Sequence, residues 1–194
     1  MPERCGCIAC RRRPGLVIRR MVSVRNAVGE NRRMTVAGVI RKIVSGGQTG
    51  VDRAALDVAM ELGIPCGGWC PKGRLAVDGV IPSRYPLHET ETAAYAERTR
   101  LNVLDSDGTL ILNTGELGGG TACTVEVARE NDKPYIVVQL DASPEPRRVI
   151  DWIVRHAIHI LNVAGPRENK EAGIHALARD FLVEVLRTNA GHPS

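Results

Sequence analysis

Aromatic side chains are scarce in this chain, which has two tryptophans, three tyrosines and one phenylalanine among its 194 residues. Proteins that bind single-stranded nucleic acid usually stack bases on aromatic platforms, so this composition argues against that partner class. The chain also lacks an apolar run long enough to cross a bilayer, and it lacks the uninterrupted apolar core of a secretory signal. We therefore expect a cytoplasmic protein that contacts neither nucleic acid nor a membrane.

Familiar catalytic and metal-binding groupings are missing as well. The sequence shows no Ser-His-Asp or Cys-His arrangement, and His156, His159 and His175 share no spacing that would suit a metal ion. The functional site is therefore expected among other residue types.

Acidic residues are nearly absent from residues 1–33, where nine arginines face only two glutamates and give a formal charge of +7. Because the whole chain carries +4, residues 34–194 carry −3 and have no electrostatic reason to bind DNA. We expect a basic leader over residues 1–33 that is too poor in apolar residues to fold. A single domain over residues 34–188 and a short tail over residues 189–194 complete the predicted organisation.

The leader contains three cysteines, Cys5, Cys7 and Cys10, which form an incomplete zinc site because no fourth ligand lies nearby. Met21 and Met34 are both plausible start codons. We expect a chain that starts at Met34 to keep the thermal stability and ligand affinity of the full length.

The most informative stretch is a polar turn, Ser45-Gly46-Gly47-Gln48-Thr49-Gly50, between an apolar strand at residues 40–44 and a helix at residues 51–62. Glycines let the backbone approach a ligand, and the N–H groups at the start of the helix favour an anion such as phosphate. The turn has neither the Lys-Ser/Thr ending of a Walker loop nor the G-x-G-x-x-G spacing, which disfavours ATP hydrolysis. The alternative is a tight connection with Thr49 or Ser45 as the helix N-cap.

A second loop, at residues 113–121, repeats this pattern between the apolar strand 108–112 and another helix. Strands and helices alternate along residues 34–188, which predicts an α/β fold with a mostly parallel sheet covered on both faces. Both loops then lie at the same edge of the sheet and can bind one anion. Candidate cations near this edge are Arg53, Lys72 and Arg74. Arg98 is expected instead on the exposed face of a predicted helix at residues 92–104.

Five blocks in order give the chain a family resemblance. They are residues 45–53 (SGGQTGVDR), 67–74 (GGWCPKGR), 81–87 (IPSRYPL), 118–121 (GGGT) and 161–166 (LNVAGP). Over residues 40–188 the chain resembles the putative molybdenum carrier protein family, which belongs to the Rossmann-like superfamily of the lysine-decarboxylase-like phosphoribohydrolases. The resemblance implies a Rossmann-like, doubly wound sheet and the binding of molybdenum cofactor, a pterin that carries a phosphate. Together with the loops, it indicates cofactor-binding residues at Gly46, Gly47, Gln48, Thr49, Gly50, Arg53, Lys72, Arg74, Gly118, Gly119, Gly120 and Thr121.

Our functional hypothesis is a carrier that holds molybdenum cofactor without turning it over, with molybdoenzymes or cofactor-synthesis proteins as partners and with a homo-oligomeric state. Two alternatives remain, a nucleotide phosphoribohydrolase and a sensor of a nucleotide-derived ligand. The hydrolases carry a Pro-Gly-Gly-x-Gly-Thr-x-x-Glu block, from which this sequence departs: Thr124 stands three residues after Thr121. A hydrolase would have to use Glu126 or Glu116. Aspartate at Gly50 or Gly119 is expected to weaken ligand binding with little change in the fold.

Overall fold

The computed structural model describes residues 35–189. The predicted leader, with its three cysteines, and residues 190–194 of the predicted tail lie outside this range, so the domain boundaries stay a prediction. Nine strands occur in the described range: β1 Lys42–Val44, β2 Cys66–Gly67, β3 Trp69–Cys70, β4 Leu75–Ala76, β5 Gly79–Val80, β6 His88–Glu89, β7 Gly108–Asn113, β8 Tyr135–Gln139 and β9 Ile160–Ala164. The six α-helices described are α1 Val36–Val39, α2 Val51–Glu61, α3 Tyr95–Leu104, α4 Gly119–Glu130, α5 Pro146–Arg155 and α6 Ile174–Arg187.

The central sheet has five parallel strands in the order β2-β1-β9-β7-β8. Helix α6 packs against both α2 and α5, and α3 packs against α4. Because parallel crossovers are right-handed, these two groups of helices cover opposite faces of the sheet. The structure thus confirms the predicted Rossmann-like α/β fold. No helix within residues 35–189 is both long enough and apolar enough to span a bilayer.

The two faces of the sheet differ in polarity. On β7, Leu110 and Leu112 join the main apolar core with residues of α2, α5 and α6. The alternating residues Thr109 and Asn113, which point to the other face, are also fully buried but polar. The main apolar core therefore lies under α2, α5 and α6, and the layer under α3 and α4 is lined with polar groups.

Two helix starts differ from the sequence prediction. The proline at position 166 suggested a terminal helix from that residue, but α6 begins at Ile174 and residues 165–173 form a loop. Glu168 lies in this loop, and its carboxylate accepts hydrogen bonds from the N–H groups of Gly173 (2.6 Å) and His175 (2.9 Å) at the start of α6. The sequence also predicts Ser143 as the N-cap of the helix that contains residues 146–155. Ser143 instead ends a short 3-10 helix, with φ of 48°.

Candidate functional site at the carboxyl edge of the sheet

A cleft lies where the connections of the sheet diverge. The chain leaves β1 through α2 toward one edge of the sheet and leaves β7 through α4 toward the other, while β9 lies between β1 and β7. Loops that leave in opposite directions open a crevice at the carboxyl ends of the strands, which is where open α/β sheets bind ligands. The cleft has a volume of about 430 Å³, within the usual range for small-molecule sites.

The N-terminus of α4 forms one wall of the cleft, at Gly118, Gly119, Gly120 and Thr121. The first N–H groups of a helix have no i−4 acceptor within the helix. The N–H of Thr121 donates to the Gly118 carbonyl at 3.2 Å, which leaves those of Gly119 and Gly120 available to an anion. A Cβ atom on Gly118 or Gly120 would meet no other atom within 4 Å, so the backbone is open on this side. This part of the predicted site faces the cleft.

The loop after β9 supplies two cations, Arg167 and Lys170, that line the same cleft. A Cβ atom on Gly119 would lie 3.3 Å from Lys170 Nζ, so this ammonium group is beside the start of α4. Within residues 35–189, Lys170 has no carboxylate partner. The guanidinium carbon of Arg167 lies 5.1 Å from the ring centroid of Tyr95, a distance that suits a cation–π contact.

The third side of the cleft is formed by the buried ion pair of Asp52 with Arg98 and by the buried side-chain amide of Gln48. Asp52, in the first turn of α2, is 2% exposed, and its Oδ2 lies 3.2 Å from Nη1 of Arg98 on α3. The same oxygen accepts the backbone N–H of Gln48 at 3.3 Å. Burial raises the pKa of Asp52, and the Arg98 guanidinium opposes this rise.

Formal charges along the cleft are balanced. Asp52 and Arg98 pair with each other, while the exposed Glu116 and Glu171 lie on the same lining as Arg167 and Lys170. Any preference for an anion therefore depends on position rather than on net charge. The favourable position is the N-terminus of α4, where helix N–H groups and Lys170 are together.

The glycines of the first loop have a packing role. A Cβ atom on Gly46 would lie 2.0 Å from Arg98 Nη1, and one on Gly47 would lie 2.4 Å from Leu87 Cδ1. A Cβ atom on Gly50 would lie 2.5 Å from the carbonyl oxygen of Pro166. Of the predicted residues in this loop, only Gln48 lines the cleft.

The alternative of a side-chain N-cap for α2 is also not seen. Gly50 occupies the N-cap position, and no side chain caps the helix. The Ser45 hydroxyl donates to the carbonyl oxygen of Val163 on β9 at 2.8 Å. Thr49 Oγ1 is buried and has no hydrogen-bond partner among the described residues.

The three cations predicted from the sequence do not line the cleft. Arg53 forms a bidentate pair with Asp78, at 2.6 and 2.8 Å, and these hydrogen bonds lower the pKa of Asp78. Lys72 is exposed, and its backbone N–H donates to Thr92. Arg74 donates to four backbone carbonyls, at Ile81, Pro82, Tyr85 and Leu87, over 2.9 to 3.2 Å.

Arg74 is therefore expected to stabilise the fold without touching the ligand. The variant Arg74→Lys loses the planar fork that reaches four carbonyls, and it should lower the free energy of unfolding by about 1–3 kcal/mol. Ligand affinity should stay within about twofold of the parent, a difference of roughly 0.4 kcal/mol. Urea unfolding and ligand titration check the two values, with Lys72→Gln as a control that should change neither. A large loss of affinity in a stable Arg74→Lys variant would return this arginine to the site.

Of the two glutamates that a hydrolase could use, only one lines the cleft. Glu126 is exposed on α4 and does not line the cleft, whereas Glu116 lies at its exposed mouth. Within residues 35–189, no group of three or more histidine, cysteine, aspartate or glutamate side chains could hold a metal ion.

The cleft residues that were not predicted from the sequence include four charged ones: Asp52, Arg98, Arg167 and Lys170. Arg98 was interpreted as a charge on an exposed helix face, and its partner is 46 positions away in the chain. A signal for Arg167 and Lys170 did exist, since both lie within four residues after the LNVAGP block at the end of a buried strand.

These features define a class of protein: a parallel α/β domain with an anion-compatible cleft at the point where its strand connections diverge. The comparisons with known proteins agree with this fold. The model of the circularly permutated YpsA SLOG family matches residues 43–186, and the chain belongs to this family. No curated protein matches the chain.

A solved structure is also similar. It is the crystal structure of a putative molybdenum carrier protein from Syntrophus aciditrophicus SB, with 47% sequence identity and a TM-score of 0.73. The match covers 77% of this chain and 96% of that one. Together, the family model and this structure confirm the resemblance that the five sequence blocks indicated.

Proposed function

We propose that the protein is a carrier that binds molybdenum cofactor and holds the phosphate of its pterin at the N-terminus of α4. The observation that carries the proposal is the wall formed by Gly118, Gly119 and Gly120, whose backbone is open to the cleft and has Lys170 beside it. Helix N–H groups and an unpaired ammonium are a favourable environment for a phosphate.

The flat part of the ligand has a matching surface. Tyr95 is 36% exposed at the cleft and has the Arg167 guanidinium over its ring. A pterin can stack on either of these planar groups while its phosphate reaches α4. The similar protein described as a putative molybdenum carrier supports a molybdenum-related ligand. A phosphorylated pterin is the ligand of this kind that the family resemblance implies.

A pterin that carries a terminal phosphate, compared with the same pterin lacking it, tests this proposal through the fluorescence of the ring. The phosphorylated form should bind about tenfold or more tightly, which corresponds to about 1.4 kcal/mol or more. Lys170→Gln should weaken only the phosphorylated form, by roughly 3- to 10-fold, because the lost ion pair is partly exposed. Lys72→Gln, outside the cleft, is the matched control and should bind as the parent does.

Equal affinity for the two pterins would contradict the proposal. Incubation with nucleoside 5′-monophosphates, followed by assay for free base, separates a carrier from a phosphoribohydrolase. We expect no release of base, and release that depends on Glu116 would favour the hydrolase instead.

A further inference from the structure

The side-chain amide of Gln48 is fixed in one orientation at the cleft. Gln48 is 4% exposed, and its Oε1 accepts the backbone N–H groups of Thr49 and Val77, both at 3.0 Å. Because a backbone N–H can only donate, these two bonds establish which end of the amide is oxygen. The Nε2 group has no acceptor anywhere in residues 35–189.

Arg98 adds a second unused donor to the same wall. Its Nη1 is held by Asp52, and its Nε, like Gln48 Nε2, lacks an acceptor among the described residues. The close approach of this guanidinium depends on Gly46, where any Cβ atom would overlap it. The hydroxyl of Thr114, which also lines the cleft, is a third buried group without a partner in the part of the chain described.

The electrostatics of this wall favour a neutral ligand group. Asp52 and Arg98 compensate each other, and Asp52 Oδ2 already accepts two hydrogen bonds. A negatively charged ligand group at this wall would lie close to the buried carboxylate of Asp52, and the repulsion between the two charges would weaken binding. A carbonyl oxygen would accept from the donors without adding charge.

We propose that the unpaired donors of Gln48, Arg98 and Thr114 form hydrogen bonds with the edge of the ligand's ring. Gln48 then selects a ring with a carbonyl group over one with an amino group at the corresponding position. This inference rests on the proposed function, because it assumes that the phosphate at α4 orients the ring toward Gln48. The carbonyl of a pterin or an oxopurine accepts from Nε2. The exocyclic amino group of adenine presents a donor and leaves the Gln48 and Arg98 donors unpaired.

Inosine 5′-monophosphate and adenosine 5′-monophosphate provide the direct test, since they share ribose and phosphate and differ in the purine edge. The full-length parent should bind the inosine nucleotide about 10- to 100-fold more tightly, because a buried donor left unpaired costs about 1–3 kcal/mol. Equal affinities would overturn the inference, and this measurement needs no variant.

The variant Gln48→Glu tests the role of the Gln48 side chain directly. It keeps an oxygen that accepts from the N–H groups of Thr49 and Val77, and it replaces the Nε2 donor with an acceptor. Its added charge weakens both nucleotides, so the ratio of the two dissociation constants is the quantity to compare. We expect this ratio to fall at least about tenfold from that of the parent, and Lys72→Gln should leave it unchanged. An unchanged ratio in a folded Gln48→Glu variant would overturn the role of Gln48.

The two proposals fail in different ways. If the phosphorylated pterin binds better than the unphosphorylated one but the nucleotides show no preference, only the reading of the ring edge is lost. If neither the phosphorylated pterin nor either nucleotide binds, the proposed function fails and this inference fails with it.

Discussion

Replacement of Gly50 by alanine should lower the free energy of unfolding by about 2–5 kcal/mol, the sum of a strained backbone and an overpacked contact. Gly50 has φ of 79°, a conformation that residues with a Cβ atom rarely adopt. The added Cβ would lie 2.5 Å from the carbonyl oxygen of Pro166 and 2.7 Å from the backbone nitrogen of Glu168. Neither neighbour is the end of a flexible side chain, and the Pro166 oxygen is further held by the N–H of Val51 at 3.2 Å. Urea unfolding of the purified variant measures this loss.

Gly63 provides the matched control. It also has a positive φ, 68°, but a Cβ atom added there would meet nothing within 4 Å. Gly63→Ala should therefore show the cost of the backbone conformation alone, about 1–2 kcal/mol. If Gly50→Ala and Gly63→Ala lost the same amount, the close packing of Gly50 against residues 166–168 would be contradicted.

This expectation differs from the one drawn from the sequence, by which aspartate at Gly50 should change the fold little. The structure corrects that expectation, because Gly50 is buried beneath the loop that follows β9. An aspartate there should destabilise the fold at least as much as alanine does. Loss of binding by that variant would not locate the ligand.

Elements with a local signal were predictable from the sequence. The apolar run before each glycine-rich loop predicted β1 and β7, and helical spacing predicted α2 and α4. Alternation of strands and helices was enough for a parallel α/β fold, because such strands need crossover connections. The placement of both glycine-rich loops at one edge of the sheet follows from the same rule.

The order of the strands was not predictable in this way. β9 pairs with both β1 and β7, and Lys42 on β1 is paired with Ile160. Hydrophobic patterns identify a strand but carry no information on such a distant neighbour. The insertion of β9 brings Arg167 and Lys170 into the cleft, and it is also the reason why Gly50 of the first loop packs against residues 166–168.

The same limit applies to charged side chains. Arg53 and Arg74 are as close in sequence to the carboxyl ends of the strands as a ligand-binding cation would be. In the structure, however, Arg53 pairs with Asp78 and Arg74 donates to four backbone carbonyls. Lys170 differs only in having no such partner in the described residues. Partners of this kind are set by tertiary packing, so composition and spacing could not separate the structural cations from those of the cleft.

Aspartate at Gly120 is expected to abolish tight binding of a phosphorylated pterin while the fold stays intact. Gly120 is the second residue of α4, and its neighbourhood leaves open space for a side chain. A carboxylate in the first turn of a helix interacts favourably with the helix dipole, so the melting temperature should stay the same or rise slightly. The same carboxylate would repel a phosphate at this wall, at a cost of about 2–4 kcal/mol of binding, a factor of roughly 30 to 1,000.

Gly120 is the better position for this test than Gly119. Gly119 has φ of 53°, and the Lys170 ammonium lies close enough to pair with a new carboxylate, which would remove a cation and add a charge at once. Gly120→Asn has nearly the same shape as Gly120→Asp without the charge, so it should lose less than about fivefold in affinity, roughly 1 kcal/mol. The difference between these two variants isolates the electrostatic part. If Gly120→Asp bound the phosphorylated pterin as tightly as Gly120→Asn, the phosphate would not lie at α4, and the loop after β9 would be the next place to look for it.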